Sequence, residues 1–253
     1  MICDLQKASM WKRISAFLFD SIILGILVAG LGFCLSSLLG YDGYRAELDS
    51  RYQVYETQYG VNFNMTMQEI DALPEDQLQK LQLASEALSG DSRAVKAYTM
   101  MMNLTLVITT FSILLAFLIL ELAVPLWLQN GQTLGKKIFS IAVMRTDGVK
   151  VSTVQMFIRT VLGKFTIETM IPVLTGILIF FGNMGIYGTA LILGLGLLQL
   201  ILLGATHTNS LIHDLLAKTV VIDMPSQMIF ESEEAMVEYK KRMHAEKVSH
   251  QEY

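Results

Sequence analysis

Residues 169–213, TMIPVLTGILIFFGNMGIYGTALILGLGLLQLILLGATHTNSLIH, run for 45 positions without one Asp, Glu, Lys or Arg. At about 1.5 Å per residue, a single helix of that length would reach roughly 67 Å, about twice the hydrocarbon thickness of a bilayer. Tilt does not absorb such an excess. Near the middle, Gly182-Asn183-Met184-Gly185 reads as a turn. Two spans, about 165–181 and 185–204, therefore fit the stretch better than one. Two more charge-free runs, 21–41 and 97–120, are 21 and 24 residues long, and about 20 suffice for one crossing. They place further spans at about 15–39 and 101–128, four in all.

Composition agrees. The 253 residues are 53% hydrophobic and 17% charged, whereas ordinary soluble domains are about 45–50% apolar and about 25% charged. This composition argues against a soluble enzyme. A net charge of −4 argues against a nucleic-acid partner. Cys3 and Cys34 are too few for a disulfide framework or a four-thiolate zinc site, and Cys34 is expected to pack as a small apolar side chain in a helix. The first apolar stretch reads as a retained span. Its length, the interrupting Asp20 and the lack of a small-residue cleavage site all argue against a leader.

Lys and Arg accumulate on the cytoplasmic side of short loops. The head carries Lys7, Lys12 and Arg13 against Asp4; residues 40–100 carry five basic and ten acidic side chains; residues 129–164 carry six basic ones against Asp147. The order is inside, outside, inside, so four spans put both termini in the cytoplasm of a plasma-membrane protein. The fold expected is an all-α integral membrane protein with an external helical insertion at 40–100, a small cytoplasmic β-hairpin and a charged tail at 226–253.

The insertion reads as helical. Tyr44, Leu48, Tyr52, Tyr55 and Tyr59 recur on one face, Thr66 to Glu69 has capping-box form, and Pro74 and Gly90 suit the ends of a helix. Ser92 is expected to cap the helix entering the second span, and the insertion to pack as a hairpin on itself. Inside, 138–151 carries a hairpin signal around Thr146-Asp147-Gly148. Thr219-Val220-Val221-Ile222 is a strand able to pair with it. The tail reads as a solvated helix, with Ser232 near its cap and Glu238 and Arg242 four apart.

Charges at membrane depth cost roughly 2.5–3.5 kcal/mol each on insertion scales, and so invite a functional reading. Arg13 and Asp20 are seven apart on one helical face. Glu121 sits about seven residues before the end of the second span, at a depth similar to that of Asp20. If the spans are adjacent, Arg13 can bridge both acids. The bland alternative is an ionic clamp that fixes helix packing and passes nothing. The sharp one is a path for monovalent cations or protons.

Three blocks together resemble the RDD family of small multispan membrane proteins, named for one arginine and two aspartates. They are Arg13 with Asp20; Gly131-Gln132-Thr133-Leu134-Gly135-Lys136-Lys137-Ile138; and His213-Asp214-Leu215-Leu216-Ala217-Lys218-Thr219-Val220-Val221. The resemblance covers about 8–223 and makes Asp214 the second aspartate. It departs at Ser140, where a glycine often follows the lysine block, and in the long external segment. Activity implied by the family is thin: most members have no assigned function, and cation/proton antiport is associated with some.

Several expectations follow from the residues themselves. Gly131 and Gly135 permit tight backbone geometry, Thr133 is placed to cap a short helix, and Lys136 and Lys137 face lipid phosphates or the carboxylates. The phosphate-loop spacing is absent, so nucleotide binding is rejected. Asp214 either turns inward to pair with Arg13 or caps a short helix. His207 and His213, near Asn209 and Asp214, form a loose cluster for which interfacial hydrogen bonding is a simpler account than metal. No catalytic motif, metal site or cofactor is expected. Transport or scaffolding remain, with a homo-oligomer favoured for transport because four spans leave only a narrow path.

Overall fold

In a computed structural model, residues 5–128 and 130–251 are described, without the side chains of 247–251. Cys3 and Asp4 lie outside the described residues. Four helices are long and apolar enough to cross a membrane: Met10–Leu38, Ser92–Trp127, Thr153–Phe180 and Gly185–Ala205. The first and fourth are α1 and α10 (Gly185–Ala205). The second joins α5 (Ser92–Phe117) through a π-helical segment, Leu118–Ala123, to α6 (Val124–Trp127). The third joins α8 (Thr153–Phe157) through a longer π-helical segment, Ile158–Met170, to α9 (Ile171–Phe180). The expected break holds at Gly182, whose φ is 77°. Spans two and three start well before the positions expected from hydropathy, because their leading turns carry charge. Large apolar side chains such as Phe17, Ile22, Ile26, Leu193 and Leu200 are exposed, as helices bathed in lipid require. Cys34 is exposed on α1 and does not pack inside, contrary to expectation.

The chain divides into two units, Met1–Val28 with Ile113–Tyr253, and Ala29–Ser112. The second contains α2 (Tyr41–Tyr59), α3 (Met67–Asp71) and α4 (Glu75–Gly90). The capping box at Thr66 and Glu69 forms as expected. Leu48 and Tyr52 of α2 pack with Leu88, Ala94, Ala97 and Met101. Tyr55 and Arg51 both reach Asp91. Asp91 also accepts a hydrogen bond from the Arg93 N–H at 2.8 Å, so it caps α5 in place of Ser92. A carboxylate there satisfies an orphan amide and meets the positive end of the helix dipole.

The first unit holds a two-stranded antiparallel sheet, β1 (Ile141–Arg145) and β2 (Thr219–Asp223), with Ile141 opposite Asp223 and Arg145 opposite Thr219. The expected local hairpin is corrected by this pairing. Residues 145–149 do turn, but only Met144 bridges back to Lys150, and the true partner is the distant strand. Burial explains the choice. Ile141, Val143 and Val221 pack on Ala8 and Ala16, while Ala142, Met144, Val220 and Ile222 pack against Leu5 and Ile229. A sheet buried on both faces demands two continuously apolar strands, and 148–152 is not one. Both edges are covered: Ala8 and Gln6 bond to β2, Asn130 to β1. The chain start, the 130–152 loop and the 206–233 segment thus share one end of this unit. Ser140 takes the left-handed conformation, φ 55°, where a glycine fits without strain. The tail helix α12 (Glu233–Gln251) is tethered at its start by Arg145–Glu233 and Lys150–Glu231 pairs.

Asp91→Ala is expected to speed amide exchange at residues 93–95 and to lower the melting temperature, whereas Ser92→Ala leaves both nearly unchanged. Equal effects of the two would return the capping role to Ser92.

Candidate functional site

Everything charged and buried in the first unit collects where the helical ends meet the sheet. Asp20 of α1 accepts hydrogen bonds from the Thr133 hydroxyl and, at 2.7 Å, from the Gly135 N–H. Thr133 also caps α7 (Leu134–Ile138) by accepting from the Lys136 N–H. One hydroxyl therefore ties the first aspartate to the glycine-rich segment. Gly135 is required by closeness: a Cβ there would collide with the Ala16 carbonyl and lie 3.0 Å from the Asp20 carboxyl carbon. Gly131 turns the chain with φ 60° beneath Val143.

Asp214 belongs to α11 (Ile212–Ala217), which starts at Leu211 without a side-chain cap. The capping alternative is therefore set aside, and Asp214 points inward, 1% exposed. Its Oδ1 meets Arg159 at 2.5 Å and accepts from Thr219 Oγ1 at 3.2 Å. Arg13 approaches Oδ2 at 3.6 Å and donates to the Thr208 carbonyl. Burial pushes this carboxyl up, but Arg159 above all, then His213 and Arg13, hold it down at about 2. Glu121 lies 2.5 Å from Lys164. Among the described residues Arg13 makes no ion pair with Asp20 or Glu121, so the expected bridge between those two acids is not formed; Arg13 joins the last helix instead.

His213 is caught between acids. Its Nδ1 lies 2.8 Å from Glu168 Oε2, its own N–H bonds Glu168 Oε1, and its Nε2 lies 3.1 Å from Arg159 NH2. An arginine only donates, so Nε2 accepts and Nδ1 carries the hydrogen. Gly163 lets α11 come this close, because a Cβ there would sit 2.5 Å from His213 Cβ. Lys136 is buried, and among the described residues its ammonium donates to Thr133 Oγ1 at 3.4 Å, while Lys137 is exposed.

Arg159, Lys164 and Glu168 were not singled out from sequence. Arg159 and Glu168 are nine apart, two and a half turns of an α-helix, and so fall on opposite faces. The segment is π-helical, at roughly 4.4 residues per turn for an i→i+5 pattern, which makes nine residues about two turns. Both side chains then face His213. The π-helical segment at 118–123 also leaves the Glu121 carbonyl to accept from Thr160 Oγ1 at 2.9 Å. A signal was present in the basic and acidic residues at the head of an apolar run, but a period of 3.6 conceals their shared face.

These features define a four-span membrane protein with a buried, charge-balanced site at one end. The RDD family model matches residues 7–218, and the chain belongs to the RDD family. No curated protein and no solved structure matches it.

Two measurements probe this packing. Gly135→Ala and Gly163→Ala are each expected to cost about 1–3 kcal/mol by overpacking, read as lower melting temperatures in detergent. Gly25→Ala and Gly30→Ala, which meet nothing, serve as tolerated controls.

The second concerns pH. Burial pushes His213 below its ordinary 6.5, although Asp214 opposes it. Burial and then Lys164 push Lys136 from 10.5 to about 7. In both cases the unfolded chain binds the proton more readily, so stability rises with pH. The His213 contribution is lost on acidification below about 6.5, and the Lys136 penalty lifts between about 7 and 10.5. Lys136→Met is expected to melt higher at pH 7, by about 2–4 °C per kcal/mol relieved, and to lose the alkaline rise. A lower melting temperature in that variant at both pH 7 and pH 10 would contradict this account.

Proposed function

We propose that this RDD protein is a non-enzymatic plasma-membrane transporter that exchanges protons for a monovalent cation through its buried charge cluster. The observation that carries this reading is a set of four acids, Asp20, Glu121, Glu168 and Asp214, interleaved with Arg13, Lys136, Arg159 and Lys164. With Lys136 poised at about 7, the cluster changes net charge near neutral pH without leaving the membrane-facing unit. Ionisable groups at membrane depth are functional candidates by default, proton and ion paths among them, and ion pairs alone are a costly way to hold helices together. The basic side chains of the 128–152 connection, Lys136, Lys137, Arg145 and Lys150 against Asp147, favour the cytoplasm for that end and for both termini. A homo-oligomer in the bilayer supplies the walls that four spans lack. No nucleic acid and no cofactor take part.

A second reading has its own support. The crevice lined by Asp20, Ile23, Leu120, Glu121 and Leu134 has no room for a water molecule. In that reading the cluster is a static clamp and the protein a membrane scaffold or regulator.

Proteoliposomes separate the two. Under the transport reading, sodium or lithium dissipates an imposed proton gradient, and Glu121→Gln, still folded, abolishes the response. Absence of any cation-dependent proton movement in the wild type, with Glu121→Gln merely less stable, favours the clamp.

A further inference from the structure

Among the described residues, the buried Asp214 Oδ2 has no hydrogen-bond partner. A buried carboxylate oxygen without a donor keeps its full desolvation penalty, which a donor arriving at Oδ2 would relieve. Arg13 NH2 lies 3.6 Å away, too far to bond, and its neighbour NH1 is committed to the Thr208 carbonyl. The other near atom is His213 Nε2 at 3.5 Å. It bears no hydrogen, because it accepts from Arg159.

We propose that His213 is a proton-binding site whose imidazolium is received on both sides, by Glu168 at Nδ1 and by the unpartnered Asp214 Oδ2 at Nε2. A hydronium ion supplies the proton: one of its O–H bonds breaks, leaving water, as the Nε2 lone pair forms the new N–H bond. That lone pair is lost to Arg159, whose NH2 contact breaks while its NH1 stays on Thr219 Oγ1 and Asp214 Oδ1. The new Nε2–H turns to Oδ2. No other bond changes. The charged groups facing the ring are Glu168 and Arg159 from the third span, Asp214 from its own helix, and Arg13 beyond Asp214. Burial disfavours the charged ring, two acids attract the proton and two guanidiniums repel it; Nε2 accepting from Arg159 marks the resting ring as neutral. Arg159 is the coupling element, since losing its acceptor on His213 frees one arm of the guanidinium.

For its part in transport the inference rests on the reading above, and its test reads the proton on the ring. The full chain, labelled with ¹⁵N-histidine in lipid nanodiscs, is titrated by NMR, with His213→Gln assigning the signal. The expected result is an Nδ1–H neutral ring at pH 8 that becomes imidazolium on acidification. Asp214→Asn should lower its midpoint by about 1–3 units, and Glu238→Gln on the exposed tail should leave it in place. An Nε2–H ring at pH 8 overturns the proposal. So does a ring still neutral where the protein unfolds, or a midpoint unmoved in folded Asp214→Asn. If Asp214→Asn does not fold, the wild-type tautomer and titration decide alone. Ring protonation without ion flux removes the transport reading and keeps the site; flux without ring protonation does the reverse.

Discussion

A carboxylate only 1% exposed cannot hold its charge unaided, and Asp214 is neutralised by Arg159 at 2.5 Å. Both groups have left water, and removing one partner of such a pair typically costs about 3–5 kcal/mol because the other charge is stranded. The pair fixes geometry more than it adds stability. It pins α11 to the third span, and α11 runs directly into β2, so the position of the sheet follows from it. Thr219, the first residue of β2, donates to the same carboxylate and accepts from the same arginine.

The sheet in turn organises the opening of the chain. Because β2 is buried on both faces and edged by residues 6–8, the start of α1 has one permitted position. Lys12 reaches Asp223 at the far end of the strand. From there Asp20 meets the Thr133–Gly135 turn. Motifs separated by more than a hundred residues are brought together by backbone hydrogen bonds and small residues, and the charges then find one another.

Glycine at 135 and 163 and π-helical winding in the third span are the means of approach. Both trade local helix stability for contact: a glycine lacks the Cβ that would keep helices apart, and the wider π turn swings Arg159 and Glu168 onto one side. Irregular winding at membrane depth is tolerable because side-chain hydroxyls such as Thr160 satisfy a carbonyl it exposes.

Composition and hydropathy reported the four spans, residue patterns reported the turn at Gly182, the helical insertion and the strand at 219–222, and three motif blocks reported the family, whereas the partner of the 141–145 strand came only with the fold. Lipid solvation acts on each residue separately, so an apolar run reports it directly. The pairing of charges was not legible in the same way. Arg13 and Asp20 share a helical face yet take different partners, and Arg159 and Glu168 share a partner although an ideal α-helix would separate them. Which donor meets which acid depends on winding, on the absence of a Cβ and on a strand pairing across more than seventy residues. Those are properties of the folded whole, because Coulomb attraction in a dry interior rewards whichever groups the backbone has already brought within a few ångströms.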